Sequence, residues 1–180
     1  MSFLSQLRTA LDTAFLGWRR PRKPQLPAPV AIVAQPVGSK DCAPAIVCML
    51  APLLGGRPVQ MSAARAALMR GDPRGTRVED IPSYLESLGL RAALVFAPAG
   101  GMFEVIRTAL HGGAYAIPLI QKGANGHFVL VYALDGETLA TVDPEPPNHW
   151  WVQEHRAFEA RVVHINRYTS HGAVVIVRRK

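Results

Sequence analysis

The chain of 180 residues is 49% hydrophobic and 18% charged with a formal net charge of +7, a composition that excludes a disordered protein. Its length suits one domain with a buried core. The basic charge lies at the two ends: residues 1–24 carry a net +4 and residues 178–180 carry +3, which leaves the body near neutral. Because a nucleic-acid-binding protein needs a basic groove on its folded body, we expect no nucleic-acid partner.

The two cysteines predict free thiols rather than a disulfide or a zinc site. Cys42 and Cys48 are six residues apart, so on one helix they would point to different faces, and this spacing matches no common zinc motif. The histidines show no metal-binding spacing either, and there is no glycine-rich phosphate loop. We therefore expect no metal and no cofactor.

The first residues predict an appended helix rather than a signal peptide. Apolar side chains follow a helical stripe over residues 2–18, but Arg8 and Asp12 would interrupt the apolar core of a signal peptide, and no run approaches the roughly 20 apolar residues of a membrane span. A basic, proline-rich linker then completes segment 1–24, ahead of one domain over 25–180. We expect this helix to pack on the domain or on a partner; a membrane-surface helix and a docking tether are the alternatives. The expected location is cytoplasmic, or delivered or secreted without a signal peptide.

Helices are predicted to dominate the first half of the domain. Gly38-Ser39 forms a loop, and Asp41 is placed to cap a helix from Cys42 to Leu54 that Gly55-Gly56 ends. Further helices are predicted over 62–69 with Ser62 as cap, over 78–88 with a Thr76–Glu79 capping box, and over 102–110.

The second half is predicted to be an antiparallel sheet. The β-branched and alternating segments are 90–97, 115–121, 127–134, 138–142 and 172–177. Asp135-Gly136 is a strong hairpin signal between two of them. Helices followed by strands predict the α+β class, with a helical part packed on the sheet.

Four residues along this pattern have the chemistry of a thiol-dependent hydrolase. Cys42 begins a predicted helix, whose N-terminus favours a thiolate. His127 opens one arm of the hairpin and Asp143 closes the other, so a turn centred on residue 135 would place them opposite each other. A carboxylate there can orient an imidazole, and the Gln35 amide, with the Cys42 N–H, can donate to an oxyanion.

Each of these residues also has a structural explanation when taken alone. A cysteine on an apolar helix is usually part of the core, which is what we expect of Cys48. A lone histidine on a strand is more often structural than catalytic, and an aspartate before proline commonly makes a turn. The order Gln, Cys, His, Asp, with the last two set across a hairpin, favours the catalytic interpretation.

The strings QPVGSKDCAPAIVCML and GHFVLVYALDGETLATVDP resemble the C39 peptidase family. These papain-like cysteine peptidases are best known as N-terminal domains of transporters that export and trim double-glycine leader peptides. The resemblance covers about residues 30–145. It implies a papain-like fold with Cys42 as nucleophile, His127 as general base, Asp143 as orienting residue and Gln35 as oxyanion donor.

The chain departs from the family pattern in three respects. The gap between Gln35 and Cys42 is one residue longer than usual, and Ala43 replaces a glycine. The sequence also contains neither a P-loop nor a membrane-spanning stretch, so the export role is not carried over.

We therefore expect a bacterial cysteine peptidase that hydrolyses a peptide bond in a peptide or protein substrate. It would act either as a leader-processing enzyme or as a delivered toxin or effector, and a toxic protease would require an inhibitory (immunity) partner. The alternatives are a non-catalytic peptide-binding module, an acyltransferase of the same fold, and an adaptor that binds nucleic acid or anionic membrane through the basic ends.

Overall fold

The computed structural model describes residues 31–70, 75–123, 125–146, 150–162 and 171–180. The helix and linker predicted for segment 1–24 lie outside these residues. The helices are α1 (Cys42–Leu53), α2 (Met61–Met69), α3 (Asp80–Ser87), α4 (Met102–His111) and α5 (His155–Glu159). The strands are β1 (Leu90–Pro98), β2 (Tyr115–Lys122), β3 (Asn125–Phe128), β4 (Leu130–Asp135), β5 (Thr138–Val142), β6 (Trp150–Glu154) and β7 (His171–Arg179).

The strands of the described residues form one antiparallel sheet in the order β1-β7-β2-β4-β5-β6, and β3 pairs with β2 beside this path. The predicted α+β class is therefore confirmed. Strand β7 lies between β1 and β2 and is covered on both faces. Its run Val174–Val177 is fully buried, because alternate residues of an inner strand face opposite sides of the sheet.

Helices cover both faces of this sheet. On one face, α1, α2 and α3 pack through Ile46, Leu68 and Leu85 in the same core cluster as Val175. On the other face, α4 and α5 contribute a second cluster around Ile176. The first cluster contains Cys42, so the core that holds α1 also fixes the start of that helix. No helix of the described ranges has the length and apolarity that a membrane span would need.

Asp41 is the N-cap residue of α1 as predicted, but the other two predicted N-caps are wrong, although the helices themselves are found. Helix α2 begins at Met61 with Gln60 as its N-cap, and α3 begins at Asp80 after Glu79 rather than through a Thr76 capping box. None of these N-caps, Asp41 included, makes a side-chain capping hydrogen bond. The carboxylate of Asp41 faces Arg65 instead, so an ion pair takes the place of the cap.

The strand predicted over 127–134 is two strands, β3 and β4, with Val129 between them. Both strands pair with β2, but only β4 also pairs with β5. The Asp135↔Thr138 pair makes Gly136 and Glu137 the turn, and an irregularity between Val131 and Ala133 shifts the register. The predicted pairing of residues 127 and 143 in one ladder is therefore wrong. Strand β6 and helix α5 were not predicted.

Candidate active site

Cys42 is the first residue of α1 and is 8% exposed. Its neighbour Asp41 is completely buried, and Oδ1 of Asp41 lies 2.9 Å from Nε of Arg65 on α2, as an ion pair rather than an aligned hydrogen bond. The carbonyl of Asp41 accepts the Ala45 N–H at 2.9 Å, which starts the helical hydrogen-bond pattern. The thiol therefore stands at a helix N-terminus that α2 holds in place. Both cysteines are free, and Cys48 is buried, as predicted; burial raises its pKa.

His127 and Asp143 are in direct contact although they belong to different strand pairs. His127 lies on β3, opposite Ile120 of β2, while Asp143 directly follows β5. Nε2 of His127 lies 2.6 Å from Oδ1 of Asp143, and both side chains are about 7% exposed. The break at Val129 lets the chain leave the β4–β5 ladder, so the two residues meet at the end of the sheet rather than across a hairpin.

Three hydrogen-bond donors surround the Asp143 carboxylate. Oδ1 accepts from His127 and from the Glu145 backbone N–H at 2.8 Å, and Oδ2 accepts from Nζ of Lys122 at 2.9 Å. Burial raises the pKa of Asp143, but the hydrogen bonds from His127 and Lys122, with the Coulomb attraction of His127, outweigh it and bring the pKa to about 2. The carboxylate is therefore ionised at neutral pH.

The imidazole of His127 is held in its protonated form. Burial lowers its pKa, but the hydrogen bond to Asp143 and the interaction with the Cys42 thiol outweigh this effect and raise the pKa to about 9. Since Nε2 is bound to Asp143, Nδ1 is the nitrogen left to face Cys42. A protonated imidazole beside a thiol favours the thiolate, which is the nucleophilic form.

Gln35 lies beside the candidate triad and hydrogen-bonds to the segment after Asp143 and to the loop before Cys42. Its backbone N–H donates to the Pro144 carbonyl at 2.9 Å, next to Asp143. Its side chain is 3% exposed, and Nε2 donates to the Ser39 carbonyl at 3.0 Å. Oε1 has no hydrogen-bond partner among the residues that the structure describes. Nε2 carries two hydrogens, so one N–H remains for a further acceptor.

A cleft of about 860 Å³ opens over the thiol. Gln35, Cys42 and His127 all line it, whereas Asp143 stands behind His127. The other walls come from segment 75–79 before α3 and from the β2–β3 hairpin. The structure therefore brings all four predicted residues to one place, with three of them accessible to a ligand.

Two charged residues of this site were missed from the sequence. Lys122 ends β2 and Glu145 follows Asp143 by two positions, and Nζ of Lys122 lies 2.6 Å from Oε2 of Glu145. The only signal in the sequence was closeness along the chain: Lys122 lies shortly before His127, and Glu145 is next but one to Asp143.

Three potential metal ligands lie together at this site. One ligand atom each from His127, Asp143 and Glu145 lies within 4.8 Å of the others. The ammonium of Lys122 contacts both carboxylates at 2.9 and 2.6 Å and already supplies a cation there. The donor set therefore fits an internal ion-pair network better than a divalent metal.

Comparisons with known proteins find similar solved structures. No protein-family model and no curated protein sequence matches the chain. The peptidase domain of Streptococcus ComA, a bi-functional ABC transporter of a quorum-sensing pathway, matches with a TM-score of 0.63 at 17% identity, over 84% of this chain and 100% of that one. A double-glycine-motif protease from an AMS/PCAT transporter, in complex with the leader peptide, matches with a TM-score of 0.64 at 15% identity, over 88% and 97%.

The peptidase domain of Streptococcus mutans ComA, in complex with a small-molecule inhibitor, gives a TM-score of 0.56 at 16% identity, over 82% of this chain and 98% of that one. All three matches cover nearly the whole of the solved domain, so the likeness concerns the complete fold. The chain therefore has the papain-like fold of the C39 double-glycine peptidase domains, as the resemblance of its cysteine and histidine motifs predicted.

Proposed function

We propose that this chain is a cysteine peptidase with Cys42, His127 and Asp143 as its catalytic triad and Gln35 as an oxyanion donor. The observation that carries the proposal is the position of His127, which is bound to Asp143 through Nε2 and interacts with Cys42 at the base of a cleft. A buried, protonated imidazole between a carboxylate and a thiol is the arrangement that makes a thiolate available at neutral pH.

In the first half of the reaction, the Cys42 thiolate attacks the carbonyl carbon of a peptide bond. The π electrons of the carbonyl move to its oxygen, and the second Nε2 hydrogen of Gln35 and the Cys42 N–H donate to that oxyanion. When the carbonyl re-forms, the carbon–nitrogen bond breaks and His127 gives its proton to the leaving amine. The products are a free amine and a thioester on Cys42.

In the second half, neutral His127 takes a proton from water, whose oxygen attacks the thioester carbon. Collapse of this intermediate breaks the carbon–sulfur bond and releases a carboxylic acid. The proton stays on His127 and the electron pair stays on sulfur, so the starting thiolate–imidazolium pair is restored. Asp143 remains ionised throughout and keeps the imidazole oriented.

The substrate is proposed to be a peptide or an exposed segment of a protein. One solved neighbour is a protease in complex with a leader peptide, which supports a peptide ligand for a cleft of this kind. The same chemistry fits two uses: the processing of leader peptides, or the action of a delivered effector whose activity an inhibitory protein blocks. A Cys42→Ala variant used to trap bound peptides and proteins distinguishes these uses.

The test has two stages. The rate of Cys42 alkylation is first followed by intact mass from pH 4 to 10 in a Cys48→Ala background, with His127→Ala as the comparison. Synthetic peptides that carry a double-glycine leader sequence are then incubated with the protein in H₂¹⁸O, with Cys42→Ala as control. We expect rapid alkylation below pH 8 that requires His127, and cleavage with ¹⁸O in the new carboxylate.

Two results would redirect the proposal. Alkylation at the rate of an ordinary thiol, unaffected by His127→Ala, would rule out the peptidase mechanism and leave a peptide-binding module. Cleavage that transfers the acyl group to an added amine instead of incorporating ¹⁸O would identify an acyltransferase.

A further inference from the structure

Next to the candidate triad lies a pair of opposite charges that take no part in the proposed bond-making and bond-breaking steps. Lys122 contacts Oδ2 of Asp143 at 2.9 Å and Oε2 of Glu145 at 2.6 Å. Both side chains line the cleft, but they are only 37% and 25% exposed. Solvent therefore screens this ion pair less than it screens a fully exposed one. The pair also lies directly against the Asp143 carboxylate that binds His127.

Both members of the pair lie near His127, one beside its ring and the other across Asp143. A carboxylate oxygen of Glu145 and a ring nitrogen of His127 lie within 4.8 Å of each other. Lys122 reaches His127 through Asp143, since the two residues bind opposite oxygens of that carboxylate. Burial lowers the pKa of Lys122, but its bonds to Glu145 and Asp143 outweigh this and raise the pKa, so the side chain stays charged.

Other charged or titratable groups surround this cluster, and three of them, Lys40, Arg77 and Glu79, line the same cleft. Cys42 interacts with His127 from α1. Arg161, which follows α5, acts electrostatically on Asp143. Lys122 contacts the Asp143 carboxylate directly and Glu145 contacts Lys122, so these two residues are the opposite charges bound to the residue that holds His127.

We propose that Lys122 and Glu145 are positioning residues that together set how tightly His127 holds its proton during the reaction. The positive charge of Lys122 offsets part of the negative charge of Asp143, so that His127 releases its proton more easily. The negative charge of Glu145 makes that proton harder to release, and its carboxylate holds the ammonium of Lys122 in place. This inference rests on the proposed function, because it concerns the proton that His127 transfers.

The reaction explains why such a balance would be useful. His127 must give its proton to the leaving amine and later take one from water, so a proton held too tightly slows the first step and a proton held too loosely slows the second. Alone, the buried Asp143 carboxylate would push the imidazole far toward its charged form. A cation on the second oxygen of Asp143 opposes that push while leaving the carboxylate ionised.

The two charges predict shifts of opposite sign. Removing Lys122 takes a cation from the neighbourhood of His127 and leaves Glu145 unpaired, so the titration midpoint of His127 rises. Removing the charge of Glu145 lowers the midpoint. A charge at about 4–6 Å moves a pKa by 1–3 units, and partial exposure brings each shift here to about half a unit to one unit.

The experiment is an NMR titration of the His127 ring nitrogens in full-length protein that carries Cys42→Ser, so that the thiol does not titrate with the ring. Lys122→Met is expected to raise the midpoint and Glu145→Gln to lower it. The double variant is expected to titrate between the two single variants, since effects of opposite sign at one site offset each other. Lys122→Arg keeps the charge and should restore the parent midpoint.

Lys180→Met serves as the matched control, because it removes one lysine charge at the exposed chain end and should leave the midpoint unchanged. Structural damage would move both single variants in the same direction, and that result, or no movement at all, overturns the proposal. The readout needs no peptidase activity. Failure of Cys42 to react with alkylating agents would therefore refute the proposed function without deciding the role of Lys122 and Glu145.

Discussion

Replacing Asp143 with asparagine is expected to remove most of the stabilisation of the protonated His127 ring. The pKa of His127 is about 9, against an ordinary value of 6.5, and burial by itself would lower it further. The hydrogen bond to Asp143 is the largest contribution that raises it. The asparagine keeps the size of the side chain but carries no charge, so the pKa should fall by at least one pH unit, which corresponds to more than about 1.4 kcal/mol.

The assay is the rate of Cys42 alkylation against pH in a Cys48→Ala background. At pH 7 we expect Asp143→Asn to react more slowly than the parent, because the thiolate–imidazolium form loses stability relative to the neutral thiol–imidazole form. Asp135→Asn is the matched control, since Asp135 is an exposed aspartate next to the β4–β5 turn. If the alkylation rates of Asp143→Asn and of the parent were the same at every pH, the reasoning would be refuted, because Asp143 would then have no influence on Cys42 and His127.

Three further predictions concern stability, measured by urea unfolding. Because folding raises the pKa of His127 from 6.5 to about 9, its protonation stabilises the fold fully below pH 6.5, and this contribution is lost as pH rises through 9. The advantage of wild type over His127→Gln should therefore shrink by up to about 3 kcal/mol between pH 6 and pH 9.5. Arg65→Met should cost about 1–3 kcal/mol, since it leaves the buried Asp41 carboxylate without its cation. Gly172→Ala should cost about 1–3 kcal/mol, because a Cβ would lie 2.4 Å from Cγ1 of Val162.

These predictions have separate controls and separate ways to fail. Arg107→Met removes an exposed pair with Glu104 on α4 and should cost less than about 1 kcal/mol. An equal cost for Arg65→Met would mean that Asp41 needs no cation. A constant difference between wild type and His127→Gln across the pH range would contradict the raised pKa of His127. A Gly172→Ala variant as stable as wild type would show that Val162 can move aside.

Local patterns in the sequence predicted most of the elements and the order in which they occur. The apolar run from Cys42 and its glycine stop correspond to α1, and the β-branched run over 138–142 has the bounds of β5. Side-chain period and turn residues are local properties, which is why they can be read from a sequence alone. The same reasoning predicted Asp41 as the N-cap of α1 but not its interaction, because its carboxylate pairs with Arg65 on another helix instead of a backbone N–H.

The sequence by itself determined the chemical groups of this protein: a thiol at a helix start, one histidine beside a glycine turn, an aspartate before proline and an upstream glutamine. Only the tertiary structure decided how they meet. His127 reaches Asp143 because β3 leaves the β4–β5 ladder, and Lys122 and Glu145 join them there. Strand order, register and ion pairs depend on contacts between segments far apart in the chain, such as β7 between β1 and β2, and no local pattern encodes those contacts.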